Sequence, residues 1–335
     1  MGNGLAGGIM LILVTGPTGK VGRTFIDSVR ADPRWKHAKI RALCHNRTLL
    51  EDERLSVVKG SIADRAVAEA AMRDVTHVVH LATCKETPED VVDVAVGGLF
   101  WLLEAFRNSK AAQQFMLIGG DAAIGHFFYR HPGPITEATP HMAYPGCYAL
   151  SKVLEEVMLQ QSWIQYGIDG CILRAPWIME KDDFKHTLSF GDDVFGGPVW
   201  KDLVPAADAK RYAASGTVPL LLDADRRPLK RNFVHVTDLV AAMIAALDNP
   251  RAKQQLFNIC MDEPVDYGAV AQHLQKTRGL ASVEIPSGYH SNWMANTKAK
   301  DFLGWRPQFD LTKLIDAAYD YKRAADDPRK VWYPG

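Results

Sequence analysis

Cysteine is scarce in this 335-residue chain: five residues, at 44, 84, 147, 171 and 260, with no Cys-x-x-Cys pair. An odd, scattered set excludes a disulfide framework and a zinc site, and implies reduced thiols in a cytoplasmic setting. No apolar run approaches the roughly 20 residues that a spanning helix needs, so no membrane partner is expected. The opening Met-Gly-Asn-Gly-Leu-Ala lacks the basic and apolar regions of a signal peptide, and Ala6 stands where a myristoylation signal has Ser or Thr. An excess of one charge is missing too. Lys plus Arg equals Asp plus Glu at 39 each, which leaves no electrostatic footprint for nucleic acid. His-Glu-x-x-His and Gly-x-Ser-x-Gly are absent, so neither a metal centre nor a serine-hydrolase elbow is indicated. What is present is a globular composition, 47% hydrophobic and 23% charged, which rules out disorder.

Apolar runs recur at 9–15, 40–44, 55–58, 77–82, 115–118 and 168–173, each separated by segments of helical spacing such as 65–73 and 89–106. Strand alternating with helix at this rhythm predicts an α/β fold, a Rossmann-type doubly wound parallel sheet. After Arg174 the pattern changes to segments rich in Pro, Gly, Asp and Trp, and one more strand and helix appear at 232–247. The expected organisation is a dinucleotide-binding domain over 1–174, with 231–260 returning to it. Residues 175–230 and 261–335 would form a smaller substrate-binding lobe.

Gly16-Pro17-Thr18-Gly19-Lys20-Val21-Gly22 follows the first strand directly and opens the first helix. Glycines there permit a tight turn and a close backbone approach to a pyrophosphate, which the N–H groups of the helix start would hold. Lys20 is followed by Val21, so the triphosphate-binding Gly-Lys-Ser/Thr pattern is not met. Tyr148 and Lys152 are four residues apart on a long amphipathic segment and share a helix face. An ammonium so placed is expected to lower the phenol toward neutrality, fitting Tyr148 to exchange a proton with a secondary alcohol while a nicotinamide moves a hydride.

These motifs resemble the extended short-chain dehydrogenase/reductase family, the group of nucleotide-sugar epimerases and dehydratases, over nearly the whole chain. The resemblance rests on Thr15 through Gly22, His80-Leu81-Ala82, Tyr148 with Lys152, Arg174-Ala175-Pro176, Arg231 through Asp238, and Leu303-Gly304-Trp305-Arg306-Pro307. It implies NAD or NADP as cofactor, with Gly16, Thr18, Gly19, Lys20, Val21, Gly22, Ile62, Leu81, Ala82, Thr83, Tyr148, Lys152 and Pro176 around it. It also implies a carbohydrate-like substrate near Lys85, Gly120, Asp121, His126, Trp177 and Arg231, and a homodimer built on the helices near 89–106 and 148–166.

Several positions depart from the family pattern. Gly120 stands where a substrate-binding Ser or Thr is usual, and Asp121 or His126 is the expected replacement, Asp121 counting among the catalytic residues. The alternative is that Asp121 only caps a turn. The second strand ends Cys44-His45-Asn46-Arg47 without the acid that selects NAD, so NADP is expected to be accepted, with Arg47 or His45 beside its 2′-phosphate. Ser61 replaces an Asp whose partner Asp64 is kept, and Ala95 replaces a buried Asn. Trp200, His186 and Trp293 are further aromatic groups that could meet a sugar, core packing being the competing role. The function so implied is hydride transfer at a secondary alcohol or carbonyl carbon of a carbohydrate or nucleotide sugar. Two alternatives stand beside it: a dehydrogenase or reductase of a small non-nucleotide sugar or carbonyl compound, and a non-catalytic dinucleotide-binding regulator.

Overall fold

Residues 9–327 are described by the structure, a computed structural model. The N-terminal segment weighed above as a signal peptide or acylation site lies outside them, as does the end of the 261–335 segment.

Runs of β-branched and apolar residues make six parallel strands in the first half of the chain: β1 Leu11–Thr15, β2 Lys39–Cys44, β3 Leu55–Lys59, β4 His77–His80, β5 Gln114–Gly120 and β6 Gly170–Ala175. Burial on both faces explains their continuous hydrophobicity, since β4, β5 and β6 are buried throughout. They lie in the order β3-β2-β1-β4-β5-β6. The chain runs outward from β1 to β3 and then returns to place β4 on the other side of β1, which creates a crevice beyond the strand ends where ligands bind in this architecture. The crossovers carry helices α1 Lys20–Ala31, α2 Arg65–Ala71, α3 Pro88–Val91, α4 Gly98–Asn108 and α5 Cys147–Tyr166.

The single helix expected over 89–106 is instead α3 and α4 joined by a π-helical turn, Val92–Gly97, which contains the buried Ala95. Close packing accompanies the break. A Cβ on Gly98 would stand 2.8 Å from Cγ2 of Ile62, so the helix approaches the β3–α2 connection more nearly than any side chain there would allow. Such turns widen a helix locally, and apolar periodicity does not reveal them.

Later segments supply β7 Trp177–Met179, α6 Asp183–His186, α7 Ala206–Ser215, β8 Val218–Leu222, β9 Lys230–Arg231, β10 Phe233–His235, α8 Val236–Ala246 and β11 Gln255–Asn258. They continue through β12 Val265–Asp266, α9 Tyr267–Arg278, β13 Ser282–Pro286, α10 Thr297–Leu303 and α11 Leu311–Asp320. Strand β11 pairs in parallel with β6 as the seventh strand of the main sheet, while β10 pairs with β7 outside it. A second core of Met179, Phe184, Trp200, Phe233, Tyr267 and Leu314 gathers residues from these later segments. Among the described residues no helix is long and apolar enough to cross a membrane.

Candidate active site

The glycine turn is shaped by contacts that only glycine permits. Gly16 has φ +63°, and a Cβ there would lie 3.1 Å from the backbone of Leu81 and Ala82. A Cβ on Gly22 would stand 2.5 Å from the Gly16 carbonyl oxygen, which keeps α1 tight against the turn. The Thr15 hydroxyl accepts from the N–H groups of Leu81 and Ala82, both at 3.0 Å, and lies 3.0 Å from Nδ1 of His80. This knot ties the end of β4 to the end of β1. Burial, with the Lys152 charge behind it, drives the His80 pKa down to about 3, so its imidazole is neutral. No side chain caps the N-terminus of α1, whose N-cap is Gly19. Its first N–H groups are left for an anionic ligand. Lys20 reaches across the crevice instead, donating to Oδ2 of Asp183 at 2.6 Å and to the Ile178 carbonyl at 3.1 Å.

A cleft of about 400 Å³ joins this turn to the start of α5. From the expected cofactor set, Gly16, Gly19, Lys20, Val21, Gly22, Leu81, Thr83, Tyr148, Lys152 and Pro176 line it. From the expected substrate set, Lys85, Gly120, Asp121, His126, Trp177 and Arg231 do so as well. Thr18, Ala82, Ile62, His45 and Arg47 are not in its lining. Ile62 is buried against Gly98, and His45 and Arg47 are exposed just beyond β2. Ser61 and Asp64 have local work: each accepts a backbone N–H two residues on, from Ala63 and Ala66 respectively.

The expectation that Lys152 acidifies Tyr148 is not met. Burial pushes the phenol up, and the carboxylates of Glu155, Asp121 and Glu86 push it the same way. The ammonium of Lys152 is bound instead to Oε2 of Glu155 at 2.7 Å, with both side chains buried. The nearer cation is Lys85, whose Nζ lies 4.1 Å from the Tyr148 ring centroid, against 5.7 Å for that of Lys152. Burial, then the charges of Lys152 and Lys20, brings the Lys85 pKa down to about 7.

The next residue, Glu156, clamps α5 to the sheet. Arg174 at the end of β6 donates to it twice, Nε to Oε1 at 3.0 Å and Nη2 to Oε2 at 2.6 Å, and His141 lies 3.0 Å from Oε2. Burial would raise this carboxyl, but the His141 and Arg174 bonds outweigh it and hold it below the usual glutamate range. Arg174 thus points into the protein beneath the cleft. Glu155 and Glu156 were legible in principle: charges three and four residues after Lys152 fall on the same buried helix face.

Beyond β5, Gly125 at φ +78° turns the chain back, and His126 follows at φ +47°, an uncommon conformation for a residue with a side chain. Nε–H of Arg231 donates to Nε2 of His126 at 3.1 Å. That leaves the ring proton on Nδ1, which lies 2.5 Å from Oδ2 of Asp121. Burial lowers the His126 pKa, with Asp121 opposing and Arg231 adding to the shift. Asp121 is the first residue of the helical turn 121–124 and lines the cleft. The Arg231 guanidinium lies 4.0 Å from the centroid of Trp177 and 4.4 Å from that of Phe127. Trp177 in turn stacks on Phe195 and Phe233.

Trp200 is core: it is 1% exposed and its indole N–H donates to the Thr187 carbonyl at 2.6 Å. His186 pairs with Asp182 and Asp193 away from the cleft, and Trp293 is exposed outside its lining. Tyr144 and the Phe195-Gly196-Gly197 turn complete the walls. No spacing or motif marks them.

A seven-stranded parallel sheet, an uncapped glycine-rich helix start at its switch point and a Tyr–Lys pair across the same cleft define a dinucleotide-binding α/β protein. The sequence pattern of the NAD-dependent epimerase/dehydratase family matches residues 12–179, and the chain belongs to that family, within the extended short-chain dehydrogenases/reductases. A UDP-glucose 4-epimerase of Streptococcus mutans is 25% identical over 95% of this chain and 99% of its own length. Another from Lacticaseibacillus casei is 26% identical over 73% and 76%. Among solved structures, a short-chain dehydrogenase/reductase superfamily protein from Agrobacterium tumefaciens with bound NAD has a TM-score of 0.76 at 22% identity, covering 92% of this chain and 95% of its own. The UDP-glucuronic acid 4-epimerase of Bacillus cereus in complex with NAD has a TM-score of 0.71 at 18% identity, covering 93% and 98%.

Proposed function

We propose that the protein catalyses NAD(P)-dependent hydride transfer at a secondary alcohol or carbonyl carbon of a carbohydrate or nucleotide sugar. One observation carries this reading: a single cleft is lined both by the glycine turn and by Tyr148, Lys152 and Asp121. The residues present suit a dinucleotide, because the α1 N–H groups are uncapped and the turn at Gly16 and Gly22 admits no side chain. The cofactor, when bound, would supply the site that accepts or returns a hydride. Tyr148 would give and take the proton at the substrate oxygen, and Lys152 would hold the ribose with the N–H bonds not spent on Glu155. Asp121, oriented by His126 and Arg231, would accept a hydrogen bond from a substrate hydroxyl in place of the missing Ser or Thr. Lys85 and Trp177 would border the substrate. His45 and Arg47, beyond β2, would meet a 2′-phosphate, so NADP is accepted. Segments 175–230 and 261–335 form the substrate lobe in this reading, and residues 1–174 with 231–260 the cofactor domain.

The named relatives favour a UDP-sugar as substrate. The engagement of Arg231 by His126, Trp177 and Phe127 favours a second reading, a dehydrogenase or reductase of a small non-nucleotide sugar or carbonyl compound, since that guanidinium is already in use. Exposed Phe100 on α4 with Leu150 and Leu154 on α5 suits a homodimer face, which sedimentation would test. The deciding experiment is Tyr148→Phe, assayed with NAD and NADP against UDP-sugars and free sugars. Loss of about 10²–10⁴ in kcat with the dinucleotide still bound supports the proposal. Unchanged turnover would overturn it, and binding without any turnover in the native protein would favour a regulator.

A further inference from the structure

The cation of the glycine turn points away from it. From the contacts of Lys20, and resting on the dinucleotide reading above, we infer that the Lys20–Asp183 bridge is a gate on the cofactor seat. It ties the helix start that would carry the pyrophosphate to the opposite wall, and a dinucleotide passes in or out only when it opens. Lys20 is the first residue of α1, directly after the uncapped Gly19. Its ammonium meets three groups of the chain after β6: Oδ2 of Asp183 at 2.6 Å, the Ile178 carbonyl at 3.1 Å, and the Phe195 ring, 4.6 Å from its centroid. Ile178 and Phe195 line the same cleft as Gly16, Gly19 and Gly22, so the bridge joins two walls of one cleft.

The far end of the bridge is itself held. Oδ2 of Asp183 also accepts from the Glu180 N–H at 3.1 Å. The preceding Asp182 takes two bonds from Arg323, Nε to Oδ2 at 3.0 Å and Nη2 to Oδ1 at 2.5 Å. Lys181 is bound in turn to Asp327. The short helix α6 is thus pinned by the chain that follows α11, and Lys20 closes against a fixed post. Side-chain exposures of 18% and 8% leave the pair less screened by water and salt than a surface bridge. A gate also differs from a phosphate contact in its kinetics. A contact slows departure alone, whereas a barrier that opens for either passage slows arrival and departure together.

The test uses Lys20→Met and Asp183→Asn, the second keeping an acceptor for the Glu180 N–H. NADH and NADPH are the probes, with binding and release followed by stopped-flow fluorescence, release by displacement with excess NAD or NADP. Charge alone predicts slower arrival of an anion when the lysine is removed, and slower release when the aspartate is removed. The gate predicts the opposite sign in both: association about tenfold faster in Lys20→Met, and release about tenfold faster in Asp183→Asn. In the double variant, whose net charge is unchanged, both rates are expected to rise by about the same factor. Slower or unchanged association in Lys20→Met overturns the inference, as does slower or unchanged release in Asp183→Asn. If one variant does not fold, the other decides. A native protein that takes up neither dinucleotide sinks the reading on which the gate rests. A Tyr148→Phe protein of full activity sinks the proton role alone, since these rates need no turnover.

Discussion

The hydroxyl of Tyr148 stands 3.7 Å from the point a Cβ would occupy on Gly120, in ordinary van der Waals contact. The backbone there is extended, φ −143° and ψ 152°, so any residue fits it. Gly120 is therefore a chemical omission and not a steric requirement. Gly120→Ser is expected to change stability by less than about 1 kcal/mol and to raise kcat/KM by supplying the absent hydroxyl. Gly119 is the control. A Cβ there meets Oε1 of Glu156 at 2.8 Å, so Gly119→Ser is expected to cost about 1–3 kcal/mol. Thermal melts and initial rates separate the two.

Arg174 and Glu156 form a bidentate pair with exposures of 1% and 0%, joining α5 to β6. Removing one partner strands the other charge in the interior. Arg174→Met is expected to lose about 3–5 kcal/mol in urea unfolding, while the double variant Arg174→Met with Glu156→Leu recovers much of it. A double variant no more stable than the single one would mean that the charges are not coupled.

His80 gives the protein an acid limit. Its folded pKa of about 3 lies below the ordinary histidine value, so between the two the unfolded chain binds a proton that the folded chain refuses. Its contribution is full above about pH 6.5 and declines as pH falls toward the folded value, by several kcal/mol at most. His80→Asn is expected to flatten the fall of Tm between about pH 6.5 and 4 relative to the native chain. Parallel curves for the two proteins would exclude His80 as the source.

Lys85 titrates at about 7, so it is a cation below neutrality and largely neutral above. Lys85→Arg keeps the charge at every working pH. If the group borders the substrate, KM for the native enzyme changes through pH 7 and the Arg variant removes that inflection. A profile identical in both would place Lys85 outside substrate binding.

Arg47 and His45 lie at the end of β2, which carries no acid. Arg47→Ala is expected to weaken NADP binding about tenfold, the loss of a charge-assisted phosphate contact, and to leave NAD nearly unchanged. Equal effects on both dinucleotides, read by fluorescence titration, would refute the preference.

The alternation of apolar runs and helical segments is enough to specify the parallel sheet, because strands buried on both faces must be hydrophobic along their whole length. The glycine turn was equally readable, since the tight φ and close approach at Gly16 and Gly22 leave no other residue possible. The Tyr148–Lys152 pair was readable as a shared helix face, but its electrostatics were not. Whether an ammonium acidifies a phenol depends on what else is buried beside it, and Asp121 and the adjacent Lys85 and Glu86 come from stretches of chain remote from α5. Only the tertiary fold decided that Arg174 turns inward to Glu156, and that Trp200 is core while Trp177 meets the cleft. Local sequence fixes backbone geometry through sterics, whereas charge and exposure are properties of neighbours that the chain brings together only on folding.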